Sequence, residues 1–108
     1  MKATIYHNPR CSKSREALRL LEDAGAEITV VEYLRKPPSA DTLGDLFARA
    51  PLAPADALRA EGAHLRDKGE PAILQAMAAE PALIERPIVE TEQGVVLARP
   101  PERVREIL

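Results

Sequence analysis

The first 33 residues place the strongest constraint on the fold. Residues 2–7 alternate in polarity and end at the turn signal Asn8-Pro9, which predicts a strand. An apolar stripe predicts a helix over 12–24, with Gly25 at the position of a C-terminal cap. A second β-rich run covers 28–33. Strand, helix and strand in so short a segment predict a right-handed βαβ unit with two parallel strands.

Residues 39–80 predict further helices. Ser39 can cap a helix whose apolar residues keep the i, i+3, i+4, i+7 spacing as far as Ala50. The stretch 54–67 is weakly patterned. Pro71 can occupy the first turn of a second helix that carries Ile73, Leu74 and Met77.

The last quarter of the chain predicts a β-hairpin and a helix. The hairpin pairs 87–91 with 95–98 and has Gly94 in its turn. A helix from Pro101 follows, with three residues expected to face the core: Val104, Ile107 and Leu108. No internal repeat or linker interrupts the pattern, so we expect a single domain over 1–108.

The charge balance and the cysteine count exclude several classes of protein. The 15 basic and 17 acidic residues give a net charge of −2, so no basic field favours nucleic acid or an anionic membrane. No apolar run approaches the roughly 20 residues of a membrane span. The single cysteine excludes a disulfide framework, and two histidines cannot complete a Cys2His2 zinc site, so no metal is expected. A lone thiol is typical of the reducing cytoplasm, where we expect this protein as a monomer.

Cys11 is the first candidate for chemistry, because it lies in a turn at the N-terminus of the predicted helix. Free backbone N–H groups and the helix dipole stabilise an anion there, and a thiolate is an anion. Basic neighbours act in the same direction if they face the thiol, and two hydroxyls can donate to it. These neighbours are His7, Arg10, Lys13 and Arg15, and the hydroxyls are those of Ser12 and Ser14. The alternative is that Cys11 is an inert, small apolar residue.

Two arginines flank the predicted hairpin. Arg86 precedes its first strand and Arg99 follows its second, and antiparallel pairing brings those ends together. If 87–91 runs antiparallel to 2–7, both guanidinium groups lie beside Cys11 and can bind a tetrahedral oxyanion. The alternative for Arg99 is one basic surface shared with two other arginines, Arg103 and Arg105.

The roles of three further residues stay open at this point. Pro87 can fix the loop opposite the cysteine, and the sequence leaves open whether its peptide bond is cis or trans. His7 can tune the thiol or pack in the core. His64 lies in the weakly patterned stretch, where we expect it to be exposed.

Four motifs in order resemble the glutaredoxin-coupled arsenate reductase family over nearly the whole chain. They run from Tyr6 to Arg15 (YHNPRCSKSR), then Tyr33-Leu34 with Pro37-Pro38, then Arg86 to Val89 (RPIV), and last Arg99 to Glu102 (RPPE). The Cys-Ser-Lys-Ser loop is similar to that of a less characterised branch of the family.

The resemblance implies a thioredoxin-like (glutaredoxin-like) α/β fold of three layers, with a mixed four-stranded sheet and a helical insertion at about 39–80. It implies Cys11 as nucleophile, with His7 adjusting the thiolate. Arg59, Arg86 and Arg99 would bind arsenate, and Arg59 rests on the resemblance alone. The supporting loop positions are Asn8, Ser12, Ser14 and Pro87.

The implied reaction starts with attack of the Cys11 thiolate on arsenate and loss of water. Glutathione, as co-substrate, then attacks the adduct, and glutaredoxin resolves the mixed product. No bound cofactor is required.

Two other hypotheses stay open. One is a redox-sensing interaction protein of the thioredoxin superfamily; because Ser14 replaces a second cysteine, its disulfide would have to be intermolecular. The other is a glutaredoxin-like thiol exchanger acting on glutathionylated substrates.

Overall fold

The computed structural model describes residues 1–108 as four strands and three α-helices connected by loops and 3-10 helices. The strands are β1 (Lys2–His7), β2 (Glu27–Glu32), β3 (Ile88–Thr91) and β4 (Gly94–Leu97). The α-helices are α1 (Ser12–Asp23), α2 (Ala40–Arg49) and α3 (Glu70–Ala79). The 3-10 helices cover Pro54–Ala57, Ala60–Leu65, Pro81–Leu83 and Pro101–Ile107. No helix is both long and apolar enough to cross a bilayer.

The sheet is mixed and its strand order is β2-β1-β3-β4. β1 is parallel to β2 and antiparallel to β3, with Tyr6 opposite both Val31 and Ile88. β3 and β4 form the hairpin. The end of β1 and the start of β3 therefore meet at the same edge of the sheet. The turn that carries Cys11 follows β1 there, and Arg86 lies just before β3.

Alternate residues of the strands belong to two separate hydrophobic cores, because neighbouring side chains of a strand point to opposite faces of the sheet. Val89 and Val96 pack with α1 and the C-terminal 3-10 helix in one core. Ile88 and Val95 pack with α2 and α3 in the other. The protein thus has a helical layer on each face of the sheet, which confirms the predicted α/β, thioredoxin-like class. The second core is built largely by the segment 39–80.

Helix α1 begins where the chain leaves β1. Cys11 has extended backbone angles and occupies the N-cap, and its carbonyl accepts a hydrogen bond from the N–H of Arg15 at 3.0 Å. Ala17 and Leu21 lie four residues apart and are fully buried. The helix ends before Gly25, whose φ of +76° favours glycine.

Three details of the C-terminal part differ from the predictions. Gly94 pairs with Thr91 at the first position of β4, so the turn consists of Glu92-Gln93 and not of the glycine. The last helix is a 3-10 helix. Leu108 is exposed, not buried. With three residues per turn, Val104 and Ile107 face the core together, and a residue one position further on points elsewhere.

The weakly patterned stretch 54–67 contains two short 3-10 helices, Pro54–Ala57 and Ala60–Leu65, and no α-helix. Pro51 and Pro54 separate this stretch from α2, because a proline lacks the N–H that would continue the helical bonding. His64 is exposed, as expected.

Candidate active site

Cys11 lies at the N-terminus of α1 in a tight turn that continues from β1. Its N–H donates to the carbonyl of Asn8 at 3.0 Å, and the side-chain oxygen of Asn8 accepts from the N–H of Arg10 at the same distance. These two bonds close the turn and orient the cysteine. The residue is 8% exposed, so the thiol borders solvent but is largely shielded from it.

The pKa of the Cys11 thiol lies below its ordinary value. Burial, the largest single effect, raises this pKa, but the combined effect of the groups that lower it is greater. Among these groups are the backbone N–H groups of Ser14 and Lys13, which donate hydrogen bonds to the sulfur. These N–H groups belong to the first turn of α1, where no helical carbonyl is available to them. The positive charge of Arg86 and a hydrogen bond from Arg99 lower the pKa further.

The two arginines that flank the hairpin lie beside the thiol. Nη1 of Arg99 is 4.0 Å from Sγ of Cys11 and donates to the carbonyl of Arg86 at 3.0 Å. Their side chains are 32% and 17% exposed, so both guanidinium groups are partly shielded from water. Antiparallel pairing thus brings together the two ends that the sequence indicated. Pro87 is fully buried after a cis peptide bond, and the Arg99–Pro100 bond is also cis.

Arg59 reaches the same region from the 3-10 segment. Its N–H donates to the carbonyl of Leu83 at 2.9 Å, and the N–H of Glu85 donates to that of Ala57 at 2.7 Å. This short ladder places Arg59 alongside the residues that precede β3. The guanidinium lies 3.6 Å from the carboxylate of Glu61 and makes no contact with the thiol.

His7 is buried and contacts Ser14 instead of the cysteine. Its Nδ1 lies 2.6 Å from the hydroxyl oxygen of Ser14, which also accepts from the N–H of Asn8 at 3.0 Å. Burial lowers the pKa of His7, as does the charge of Arg15, while Glu32 acts in the opposite direction. The lowered pKa favours a neutral imidazole, which stabilises the turn through Ser14. Any effect of His7 on Cys11 is therefore indirect and acts through Ser14.

Several residues predicted near the thiol lie elsewhere or act through other atoms. Ser12 and Arg10 are exposed, and Arg15 donates to the carbonyl of Pro9 at 2.9 Å. The hydroxyl of Ser14 faces His7, so this residue and Lys13 act on Cys11 through their backbone N–H groups. The basic side chains of this loop were expected to act on the thiol only if they face it, and the groups that lower its pKa are instead the backbone N–H groups of the first helical turn with Arg86 and Arg99.

Tyr33 is a site residue to which the sequence analysis gave no role. It follows β2 and is 2% exposed. Burial raises the pKa of its hydroxyl, whereas the charges of Arg86 and Arg59 and hydrogen bonding with Asn8 act to lower it. The charge of Cys11 also acts on it. The hydroxyl thus lies among the groups of the candidate site, and the signal for it is the parallel pairing of β1 and β2, whose carboxyl ends share one edge.

The chain is similar over most of its length to one protein family and to individual proteins. A model of the ArsC family matches residues 6–107. An arsenate reductase of Rhizobium meliloti is 42% identical over all of this chain and 82% of its own length. The uncharacterized protein YfgD of Escherichia coli is 46% identical over 96% of this chain and 94% of its own length.

Solved structures agree with this. The structure described as arsenate reductase from Vibrio cholerae superposes with a TM-score of 0.93 at 41% identity. The match covers 100% of this chain and 98% of the other. The mixed sheet, the turn that carries the cysteine and the helical segment 39–80 are thus parts of one shared architecture.

Proposed function

The chain belongs to the ArsC family, and on that premise we propose that it is an arsenate reductase that uses Cys11 as nucleophile and glutathione with glutaredoxin as the source of electrons. The observation that carries the proposal is the Cys11 thiol, which combines a lowered pKa with a guanidinium 4.0 Å away. The protein would act as a cytoplasmic monomer with no bound cofactor.

The first step is attack of the Cys11 thiolate on the arsenic of arsenate. A sulfur–arsenic bond forms, an arsenic–oxygen bond breaks, and the departing oxygen leaves as water after it takes up two protons. Attack of one anion on another is disfavoured unless positive groups offset the charge. Arg99 and Arg86 supply two such groups, and the first-turn N–H groups of α1 stabilise the thiolate before attack.

The second stage reduces arsenic from the +5 to the +3 state and requires two electrons. Two thiols supply them when they combine to a disulfide, so arsenate and two thiols give arsenite, one disulfide and water. The chain contains one cysteine, and Ser14 occupies the position where a dithiol motif has its second. The second thiol must therefore be external, and glutathione with glutaredoxin fits this requirement.

The three arginines have graded roles in this proposal. Arg99 contacts both the thiol and the carbonyl of Arg86, so it positions the oxyanion relative to the sulfur. Arg86 supplies charge from a more buried location. Arg59 extends the positive region on the side of Tyr33.

The test is formation of arsenite from arsenate with glutathione and glutaredoxin present. We expect turnover by the wild type and none by Cys11→Ser. Arg99→Ala should lower the rate about a hundredfold, the effect of removing one donor from an oxyanion site, and should raise the pKa of Cys11. The matched control is Arg105→Ala, which removes an exposed arginine on the C-terminal 3-10 helix and should leave turnover unchanged.

Full activity in Cys11→Ser would refute the proposal. Equal losses in Arg99→Ala and Arg105→Ala would favour a general basic surface over a specific site. Release of glutathione from a glutathionylated peptide, without arsenate turnover, would favour the thiol exchanger.

A further inference from the structure

Glu85 places a carboxylate inside the cluster of arginines. Its Oε1 lies 3.1 Å from Nη1 of Arg86, and its Oε2 lies 3.9 Å from Nε of Arg99. The side chain is 27% exposed, and its backbone is held by the hydrogen bond to Ala57. The carboxylate is thus one guanidinium away from the Cys11 thiol, in a region expected to attract anions.

The charges of this cluster balance when the thiol is ionised. Cys11 and Glu85 then contribute two negative charges against the two positive charges of Arg86 and Arg99. An incoming oxyanion meets guanidinium groups whose charge is already offset. A dianion gains least from such a neutral cluster, because its Coulomb energy grows with the net charge that it meets.

Arg86 is also incompletely satisfied while it pairs with Glu85. Its Nε is buried and has no hydrogen-bond partner. An unpaired buried donor costs free energy, and a planar guanidinium binds best when two of its N–H groups donate side by side. Glu85 gives Arg86 a single oxygen and turns its other oxygen toward Arg99, so an oxyanion that gave two oxygens to Arg86 would pair more of its N–H groups than the carboxylate does.

We propose that Glu85 is a specificity-determining residue: its carboxylate occupies the guanidinium groups of Arg86 and Arg99, and an oxyanion binds by displacing it. The inference rests on the anion site of the proposed function. It means that the site excludes oxyanions that bind by charge alone and admits those that also form the side-by-side hydrogen bonds.

The test uses protection of Cys11 from alkylation by iodoacetamide, which reports one site because the chain has one cysteine. The probes are arsenate, phosphate and dimethyl phosphate at about pH 8, where phosphate is mostly doubly charged and dimethyl phosphate singly charged. The variants are Glu85→Gln, which keeps size and an acceptor oxygen, and Glu85→Ala. The control is Glu90→Gln, a glutamate of similar exposure on β3 that pairs with Arg49.

We expect the half-protecting concentration of phosphate to fall about tenfold in both Glu85 variants, the usual effect of one nearby charge. The fall for dimethyl phosphate should be about threefold, since the Coulomb energy scales with ligand charge. Arsenate should follow phosphate, and Glu90→Gln should match the wild type.

Two results would overturn the inference. One is weaker or unchanged protection in the Glu85 variants, which would mean that the carboxylate holds the arginines in place for the ligand. The other is no protection of any of the proteins by any probe. Arsenite formation by the wild type tests the proposed function separately. Turnover without tighter protection rejects this inference alone, and tighter protection without turnover rejects arsenate reduction alone.

Discussion

At the scale of single residues, the lowered pKa of Cys11 depends on backbone groups as well as on charged side chains. The N–H groups of Lys13 and Ser14 face the sulfur because the helix begins at that point. These groups are fixed by the fold and cannot be removed by substitution of a side chain. The guanidinium groups of Arg86 and Arg99 can be removed by substitution, so mutagenesis separates their contribution to the pKa of Cys11 from that of the helix.

Tyr33→Phe should lower kcat/KM for arsenate by about tenfold or more. Tyr33 is buried and its hydroxyl lies within electrostatic reach of Cys11 and the arginines. A hydrogen bond from this hydroxyl to the charged oxyanion bound there would contribute about 1.5–3 kcal/mol. Steady-state kinetics of arsenite formation measure the effect. Tyr6→Phe is the control, because Tyr6 is only partly buried and the charge that acts on its hydroxyl is that of Glu90. Rates within twofold of each other in the two variants would show that the Tyr33 hydroxyl has no part in the reaction.

At the scale of elements, the junction of β1 with α1 determines where the thiol lies. Ser14 is fully buried, and its hydroxyl joins the last residue of β1, His7, to the first residue of the turn, Asn8. One side chain of the helix thereby fixes both the end of the strand and the turn that carries Cys11.

Ser14→Ala should lower the free energy of unfolding by about 1–3 kcal/mol, because it leaves the partly buried N–H of Asn8 and the buried Nδ1 of His7 without their partner. Urea unfolding followed by circular dichroism measures the change. Ser12→Ala is the control: this residue is exposed in the same helical turn, and its loss should cost less than about 0.5 kcal/mol. If the two variants were equally stable, the His7–Ser14–Asn8 hydrogen bonds would have no net effect on stability.

The helices and strands with a regular hydrophobic pattern were predictable from the sequence, and so was the edge of the sheet at which the end of β1 meets the start of β3. Strand alternation and the helical stripe identify β1, α1 and the hairpin, and topology then brings Arg86 and Arg99 toward Cys11. The direction of a side chain within an irregular segment has no such signature. Tyr33 directly follows β2, so the parallel pairing of β1 and β2 indicates the end of the sheet at which it lies but not the direction of its side chain. Glu85 precedes β3 in an irregular segment and Arg59 lies between two 3-10 helices, so the positions of these two side chains follow from tertiary contacts alone.

At the scale of the whole molecule, the sheet separates the two cores and the site lies at one of its edges. Cys11 belongs to the side of α1, whereas Tyr33 and Ile84 pack in the core formed by α2 and α3. Ile84 directly precedes Glu85 and Arg86. The helical segment therefore supports one side of the site, and the βαβ unit supports the other.

This arrangement couples the titration of one thiol to global stability. Because the folded-state pKa of Cys11 is lowered, the folded protein binds fewer protons than the unfolded chain between that pKa and the unfolded value of about 8.5. The stabilisation is fully present above the unfolded pKa and is lost as pH falls through the folded pKa.

The free energy of unfolding of the wild type, relative to that of Cys11→Ser, should therefore rise with pH up to about 9, by about 1.4 kcal/mol for each unit that separates the two pKa values. Urea unfolding of both proteins at several values between about pH 5 and pH 9.5 measures the difference. The contribution of His7 titrates at lower pH and is present in both proteins, so it cancels. If the two stabilities ran parallel across this range, the Cys11 thiol would have the same pKa in the folded and unfolded chains, and the helix N-terminus and arginines would not stabilise its thiolate.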